Sequence, residues 1–491
     1  MTRSRLEVPW TGGDRNRASV IADLLFAPQE WKHRRVDSLR LNTGDRGRRR
    51  TSIDCTLPAD GRLTWPTSGT GDQIVVPLGV LTKGPLRDFD IVDSDGRPLS
   101  VLGLSDSATL AVQVLYYLLE EIDGVSLNEA LKEALKEVVL HDPQSGAELD
   151  LDELLYAGRY RGAQVIPPDQ EVSTNTASLI RDLLGGYVLF AIAPRSTADR
   201  RTVIKFSSYW TTTLRPDDST VPEALWRVAD RLDGSLARLG VHPAQRPGEE
   251  FPAGPVVRLL EYASWRVNII LASLGIRPAA LELPVLGAGD ARSFHLELHM
   301  PAEIECDFLG LPFPRPPRLI TGVLDESIEP VAHAHGSYDF PWDDEEGEQT
   351  GFASLTTTPR GTTGVATLTS VATFLFFLLA ATLPGAMATL EHASDPSAVL
   401  LTLPAVALTV FLGVREHEIA SILLGPVRFI IGVCAALLAL AATSLAWDLR
   451  EPWLHLFWWA ALVISGASVL GLLVGAVQRH RRARDVVRRQ V

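Results

Sequence analysis

Four apolar runs crowd the last quarter of the chain, and they constrain everything that precedes them. They cover residues 365–390, 397–414, 429–447 and 452–478. A helix of about 17–25 apolar residues crosses a hydrocarbon core of roughly 30 Å. Backbone groups in lipid have to be satisfied within their own segment, so runs of this length are read as helices. Pro384 and Pro404 would kink or end theirs locally. The expectation is a C-terminal four-helix transmembrane bundle.

Arginine placement orients it. The loop 391–396 has no Lys or Arg. The next loop has Arg415 and Arg428, the one after it only Arg450, and the basic tail 479–491 carries six arginines. With an even number of spans, this bias places both termini in the cytoplasm. Trp447, Trp453, Trp458 and Trp459 suit an interfacial belt at the outer ends of the third and fourth spans. Residues 415–428 mix charge with Ile419, Ile422, Leu423 and Leu424, which predicts a short helix on the inner membrane surface or an extension of the third span. The spans hold almost no ionisable group beyond His455 near one end, which argues against an ion-coupled carrier. Gly471 and Gly475, with Ser465, Gly466 and Ser468 nearby, let a helix backbone be approached closely. That predicts packing inside the bundle, or a homo-oligomer built through it.

The long stretch before the spans has a different character. Mean hydropathy over the whole chain is +0.11 although the net charge is -13, because apolar residues are concentrated at the end. Before Val365 there are 37 basic and 52 acidic residues, and the first fifty hold 12 basic and 6 acidic. An acidic body argues against nucleic acid as a partner. Cys55, Cys306 and Cys434 cannot build a disulfide framework and suit a reducing compartment. The start, MTRSRLEVPW, has no apolar core of a signal peptide. Arginine outnumbers lysine about eightfold, as GC-rich bacterial coding produces. Together these features predict a multi-pass protein of the bacterial plasma membrane with a large cytoplasmic domain.

Pattern reading divides that domain into a mixed α+β layout. Residues 1–30 read as an N-terminal arm with a short helix capped by Ser19. Residues 31–104 read as a β-rich domain, with a hairpin turning at Asp93-Ser94-Asp95-Gly96. Residues 105–279 are mainly helical, with 105–122, 127–140, 152–160, 222–239 and 256–274 as helices and 202–214 as a strand. The apolar stretch 183–194 is too short to span and is expected as a buried helix. A second β-rich block covers 280–335, and 336–364 reads as an acidic polar linker containing Asp343-Asp344-Glu345-Glu346. Residues 1–360 are therefore expected to fold as an independent unit.

No catalytic signature is present. Gly69-Thr70-Gly71 lacks the lysine of a phosphate loop, and no G-x-S-x-G elbow, H-E-x-x-H helix or paired-cysteine zinc motif occurs. No cofactor is implied. His295, Glu297 and His299 alternate on one predicted strand, and His333 and His335 on another. Side chains two apart share a strand face, so adjacent strands would converge four imidazoles and a carboxylate into a zinc-like site. A partly polar, solvent-facing strand surface explains the same pattern more simply. The basic run Arg46, Arg48, Arg49 and Arg50 reads as a solvated loop, or as a patch for the anionic membrane surface. These features favour a non-enzymatic adaptor, sensor or docking platform for a cytosolic protein partner, held at the lipid bilayer. A membrane effector that permeabilises the bilayer through its bundle is the alternative, and a metal-dependent enzyme the second.

Overall fold

The computed structural model describes residues 6–41, 46–65, 72–84, 89–142, 149–211, 213–215, 255–285, 287–301, 303–311, 331–337, 350–359, 361–382, 418–446 and 453–490. Helix α1 (Gly12–Phe26) and the single turn α2 (Pro28–Trp31) lead into β1 (Lys32–Leu41) and β2 (Arg46–Thr56). Strands β3 (Thr64–Trp65), β4 (Gln73–Thr82), β5 (Asp90–Val92) and β6 (Ser100–Val101) precede α3 (Leu104–Tyr117), α4 (Glu129–Leu140) and α5 (Leu151–Leu155). A minimal hairpin, β7 (Arg159–Tyr160) and β8 (Ala163–Gln164), is followed by α6 (Thr174–Gly185), β9 (Gly186–Pro194), β10 (Arg201–Thr211) and β11 (Thr213–Arg215). After α7 (Pro255–Ser273) come β12 (Ala279–Pro284), β13 (Ser293–His299), β14 (Ile304–Gly310), β15 (Val331–Ser337) and β16 (Thr350–Thr357). Helices α8 (Thr362–Thr382), α9 (Glu418–Ala446) and α10 (Trp453–Gln490) close the chain.

The N-terminal residues are a packed helix, correcting the expected arm. Thr11 and Asp14 form a reciprocal capping box: Asp14 N donates to Thr11 Oγ1 at 3.4 Å, and Thr11 N to Asp14 Oδ2 at 3.0 Å. Ser19, the expected cap, lies inside the helix and donates to Asn16 O. Val20, Ile21 and Leu24 are buried in the first of two large cores, with Ile74, Val76, Leu115, Leu135 and Phe190. The stretch expected as a buried helix at 183–194 is divided: α6 ends at Gly185 and Gly186–Pro194 is β9, pairing antiparallel with β4. Burial on both faces removes the alternation that would have marked it as a strand.

The predicted β-rich blocks interleave. The largest sheet runs β15-β13-β1-β2-β10-β5. Its β1 pairs in parallel with β13, more than 250 residues later in sequence, with Val36 opposite His295 and Leu39 opposite Leu298. Ile53, Cys55, Ile204 and Phe206 from this sheet belong to the first core. Leu39, Leu41, Phe294, Leu296 and Leu298 belong to the second. A four-stranded sheet, β11-β12-β16-β14, and α7 supply the other side of that second core. Strand β16 lies inside the segment expected to be a structureless linker. Ala353 and Leu355 point into the core while Phe352 faces out, the period of a half-buried strand.

Among the described residues, three helices are long and apolar enough to cross a membrane: Thr362–Thr382, Ala420–Ser444 and His455–Arg482. The run 397–414 expected as a fourth lies outside the described residues, as do Pro384, Pro404 and the helix expected at 222–239. Away from the globular domain the three helices pack through Phe377, Leu438, Ala441, Trp458 and Ala461. Trp458, expected in an interfacial belt, is instead buried against Phe377, with ring centroids 5.1 Å apart. Trp453 and Trp459 are exposed. Nearer the domain, Ala366, Val427, Ile431 and Leu472 form a second layer. Residues 418–428 are the opening turns of α9 and not a separate surface helix. Their Ala420, Leu423 and Leu424 are buried in the second core of the globular domain.

Candidate functional site: the joint between domain and membrane helices

The histidine strands do pair. In β13 against β15, Glu297 lies opposite His333 and His295 opposite His335. The His295 and His333 rings stack at 5.1 Å, with His295 Nδ1 3.0 Å from His333 Nε2. One nitrogen donates and the other accepts. On the same face His299 leans toward β1, placing Nε2 2.8 Å from Ser38 Oγ. Among the described residues no group of three or more His, Cys, Asp or Glu is placed to hold a metal ion. The His335 side chain lies outside that set.

The arginine run is a strand, which corrects its reading as a loop. The pleat sends successive side chains to opposite faces, so the run is split. Arg48 and Arg50 are exposed, while Arg49 is buried against Asp37. Arg48 Nη2 donates to Ser207 Oγ at 3.0 Å and lies 3.6 Å from Asp90. Arg49 is thus removed from any membrane-surface patch, and the Arg46 side chain lies outside the described residues. Arg50 pairs across to Ser38, Ser38 to Glu297 and Glu297 to His333, so the two groups singled out in the sequence share one face of the sheet.

Beneath that face lies an ionic cluster the sequence did not advertise. Asp37 is fully buried and accepts from Thr51 Oγ1 at 2.7 Å, from Arg35 Nε at 3.3 Å and from Arg49 Nη2. Arg35 also donates to Asp290 at 3.1 Å and to Gly287 O at 3.0 Å. Burial alone would raise the Asp37 pKa, but the Arg35 and Arg49 charges and the hydrogen bonds from Arg49 and Thr51 overcome it and hold the carboxyl below its usual range. Lys32, also buried, lies 3.9 Å from Asp290 and donates to Leu78 O at 2.9 Å, and its pKa is lowered by that burial. The cluster occupies the seam where β1 and β2 pass from one core to the other.

The arrangement with the most direct bearing on function is where the membrane helices meet the domain. Its hub is the C-terminal end of α7. A helix leaves its last carbonyls without partners inside the helix, and cations are favoured beside them. Here both needs are met by α10. Arg479 Nη1 donates to Leu274 O at 3.4 Å and Arg482 Nη2 to Gly275 O at 2.6 Å. Arg482 also lies 3.7 Å from Asp307 on β14, and Asp307 accepts from Thr356 Oγ1 at 2.9 Å. Burial pushes the Asp307 carboxyl above its ordinary range, against Thr356 and the two arginines.

Close approach at the joint depends on glycine. Gly475 of α10 faces the Leu274 backbone: a methyl there would overlap the carbonyl oxygen and sit 2.7 Å from the carbonyl carbon. Gly471, one turn earlier, meets only the Leu274 side chain, at 3.5 Å from Cδ1. Reciprocally, Gly275 adopts φ +74° with the Arg479 guanidinium against it. The two α10 glycines expected to pack within the bundle therefore pack against the domain.

The other two helices are fastened at the same level. Ser273 Oγ donates to Leu423 O of α9, and Ser273 O accepts from Thr357 Oγ1 at 3.0 Å. At α8, Glu303 Oε2 accepts from Thr362 N at 3.3 Å, a carboxylate at a helix N-terminus. Glu303 holds φ +68°, a conformation few non-glycine residues adopt, and its carbonyl accepts from Thr358 N at 2.9 Å. The sequence flagged Gly471 and Gly475, yet nothing in it connected them to Leu274, Gly275 or Asp307. No protein-family model matches the chain, and no curated protein matches it.

Proposed function

We propose that this is a multi-pass bacterial plasma-membrane protein whose large cytoplasmic domain acts as a non-enzymatic sensor and docking platform for a cytosolic protein partner. The state of the domain is passed to the helices through the joint at the end of α7. The observation that carries this reading is the direct capping of Leu274 and Gly275 by Arg479 and Arg482, with Gly475 seated on the same backbone. A passive anchor needs only a tether. Here three helices engage one domain through side chains and backbone, so a shift of α7 is felt by α9 and α10 together.

The finer topology is four spans with both termini cytoplasmic. Helix α8 starts at the domain and α9 starts at the domain again, which suits an even number of crossings between them. Residues 383–417 include the apolar run 397–414. A reporter active only outside the cytoplasm should be silent when fused after Val491 and active when fused at His392. Activity of the fusion after Val491 would break the even-span reading.

Captured intact from native membranes, the protein should carry a stoichiometric cytosolic partner, and its overexpression should leave the membrane potential unchanged. The effector reading draws on the same joint, because a domain that grips α10 can also pull on it. Collapse of the potential on expression, restored by Gly475→Ala, would place that reading first.

A further inference from the structure

We propose that the lipid-facing side of α10 holds an anionic phospholipid, with Arg481 gripping the headgroup phosphate and the helix groove below it taking an acyl chain. The domain-facing stripe of α10 is Gly471, Gly475, Arg479 and Arg482. At 3.6 residues per turn those four positions fall within an arc of about 80°. Leu470, Leu473, Val474, Val477 and Arg481 fall within a second arc of about 100° on the other side. Their exposure agrees: Leu470 is 64%, Leu473 51%, Val477 51% and Val474 38% accessible. Leu473, Val474, Val477, Gln478 and Arg481 line an open recess of about 300 Å³.

The occupant follows from where this recess lies. The apolar run of α10 ends at Gln478 and is followed at once by Arg479, His480, Arg481 and Arg482, so the recess straddles the boundary between hydrocarbon and headgroups. Its floor is aliphatic and its rim is an amide and a guanidinium, the order of polarity in a phospholipid from chain to headgroup. Of the three arginines at this level, Arg479 and Arg482 are committed to the α7 carbonyls, whereas Arg481 is exposed. A guanidinium forks onto phosphate oxygens through two parallel hydrogen bonds, and Gln478 one turn away can donate a third. α10 holds no Asp or Glu from Trp453 to Arg482, and Asp485, one turn past Arg481, is outnumbered by Arg484, Arg488 and Arg489 of the same basic tail. An anionic headgroup is therefore favoured over a zwitterionic one, whose own cation would face the arginine.

The test uses the full chain reconstituted in equimolar phosphatidylglycerol and phosphatidylcholine, with retained lipid counted by native mass spectrometry. Retained phosphatidylglycerol should exceed phosphatidylcholine about fivefold, the gain expected for one basic residue at an anionic surface. Arg481→Gln should bring the ratio close to parity, and Arg481→Lys should keep at least half of the enrichment. Arg159→Gln, on the exposed hairpin far along the chain, should leave it unchanged. Equal enrichment in wild type and Arg481→Gln would overturn the proposal, as would loss of enrichment in Arg159→Gln as well. Retention of all variants in membranes after an alkaline wash separates this question from whether α10 spans at all.

Discussion

Gly475→Ala isolates the joint with a single methyl. The added carbon would overlap the Leu274 carbonyl oxygen, and α10 has to retreat about 1.7 Å to restore a carbon–oxygen contact of roughly 3.3 Å. That retreat carries the Arg479 bond to Leu274 O, already 3.4 Å, beyond hydrogen-bonding range. Losing a bond from a charged donor costs about 1.5–3 kcal/mol, and overpacking alone about 1–3 kcal/mol. Alanine returns up to about 1 kcal/mol through its better helix propensity. A net loss of about 2–5 kcal/mol is expected. Gly471→Ala is the internal control, because its methyl would sit at ordinary van der Waals distance, 3.5 Å from Leu274 Cδ1. It should be neutral or stabilising by about 0.5 kcal/mol. Thermal unfolding in one detergent reads both. Hydrogen exchange localises the effect, since the Gly275 and Ile276 amides close the end of α7 on Ala272 O and Leu271 O and should exchange faster only in Gly475→Ala. Equal melting temperatures for the two variants, or unchanged exchange at Gly275 and Ile276, would refute the account.

Asp37→Asn leaves Arg35 and Arg49 buried without their shared anion, and should cost about 3–5 kcal/mol in chemical denaturation; a loss under 1 kcal/mol would mean the seam is wet. Leu423→Ala, although on a membrane-length helix, should destabilise the globular domain by about 2–5 kcal/mol, read from the cooperative loss of β-sheet signal; an effect confined to helix signal would contradict its place in the second core. The raised pKa of Asp307 means that folding takes up a proton, so its stability contribution is complete below the ordinary carboxylate pKa of about 4 and is lost as pH rises through the raised value. Wild type should lose stability relative to Asp307→Asn across that window, and parallel pH profiles would refute the burial.

What could be read in advance depended on whether the signal was local. Hydropathy is local, so the apolar runs at residues 365–390, 429–447 and 452–478 fall on helices, although α9 begins eleven residues before its run and 383–390 lie outside the described residues. Periodicity identified α3, α4 and α7 to within a few residues; α4 buries one face only, whereas α3 is buried almost all round from Leu110 to Tyr116 and is delimited by the polar pairs Ser105-Asp106 and Glu120-Glu121. It failed at β9, which is buried on both faces, and at 46–50, where the start of a central strand is masked by charge because its inward arginine finds a buried partner in Asp37. It failed again at Thr350–Thr357, short and flanked by polar residues, which is a strand only because β12 and β14 lie on either side. The joint was the least legible part. Arg479 and Arg482 carry the ordinary mark of an inner-leaflet arginine, and their carbonyl partners are backbone atoms that leave no trace in side-chain identity.

The pairing of β1 with β13 and the burial of Leu423 in the second core set a timetable for biosynthesis. Strand β1 leaves the ribosome early, yet its parallel neighbour follows some 250 residues later, and loop closure over such lengths is slow. Even then the second core lacks Ala420, Leu423 and Leu424, which emerge only after α8 has been made. The domain thus reaches its final packing only after one membrane-length helix, α8, and the start of a second, α9, have been made. A nascent chain halted before residue 418 would present Ile269, Leu281 and Leu355 without their cover, the kind of exposed apolar surface that chaperones hold and proteases clear. Emergence of α8 and α9 is then the step that completes the domain, so quality control of one serves as quality control of the other.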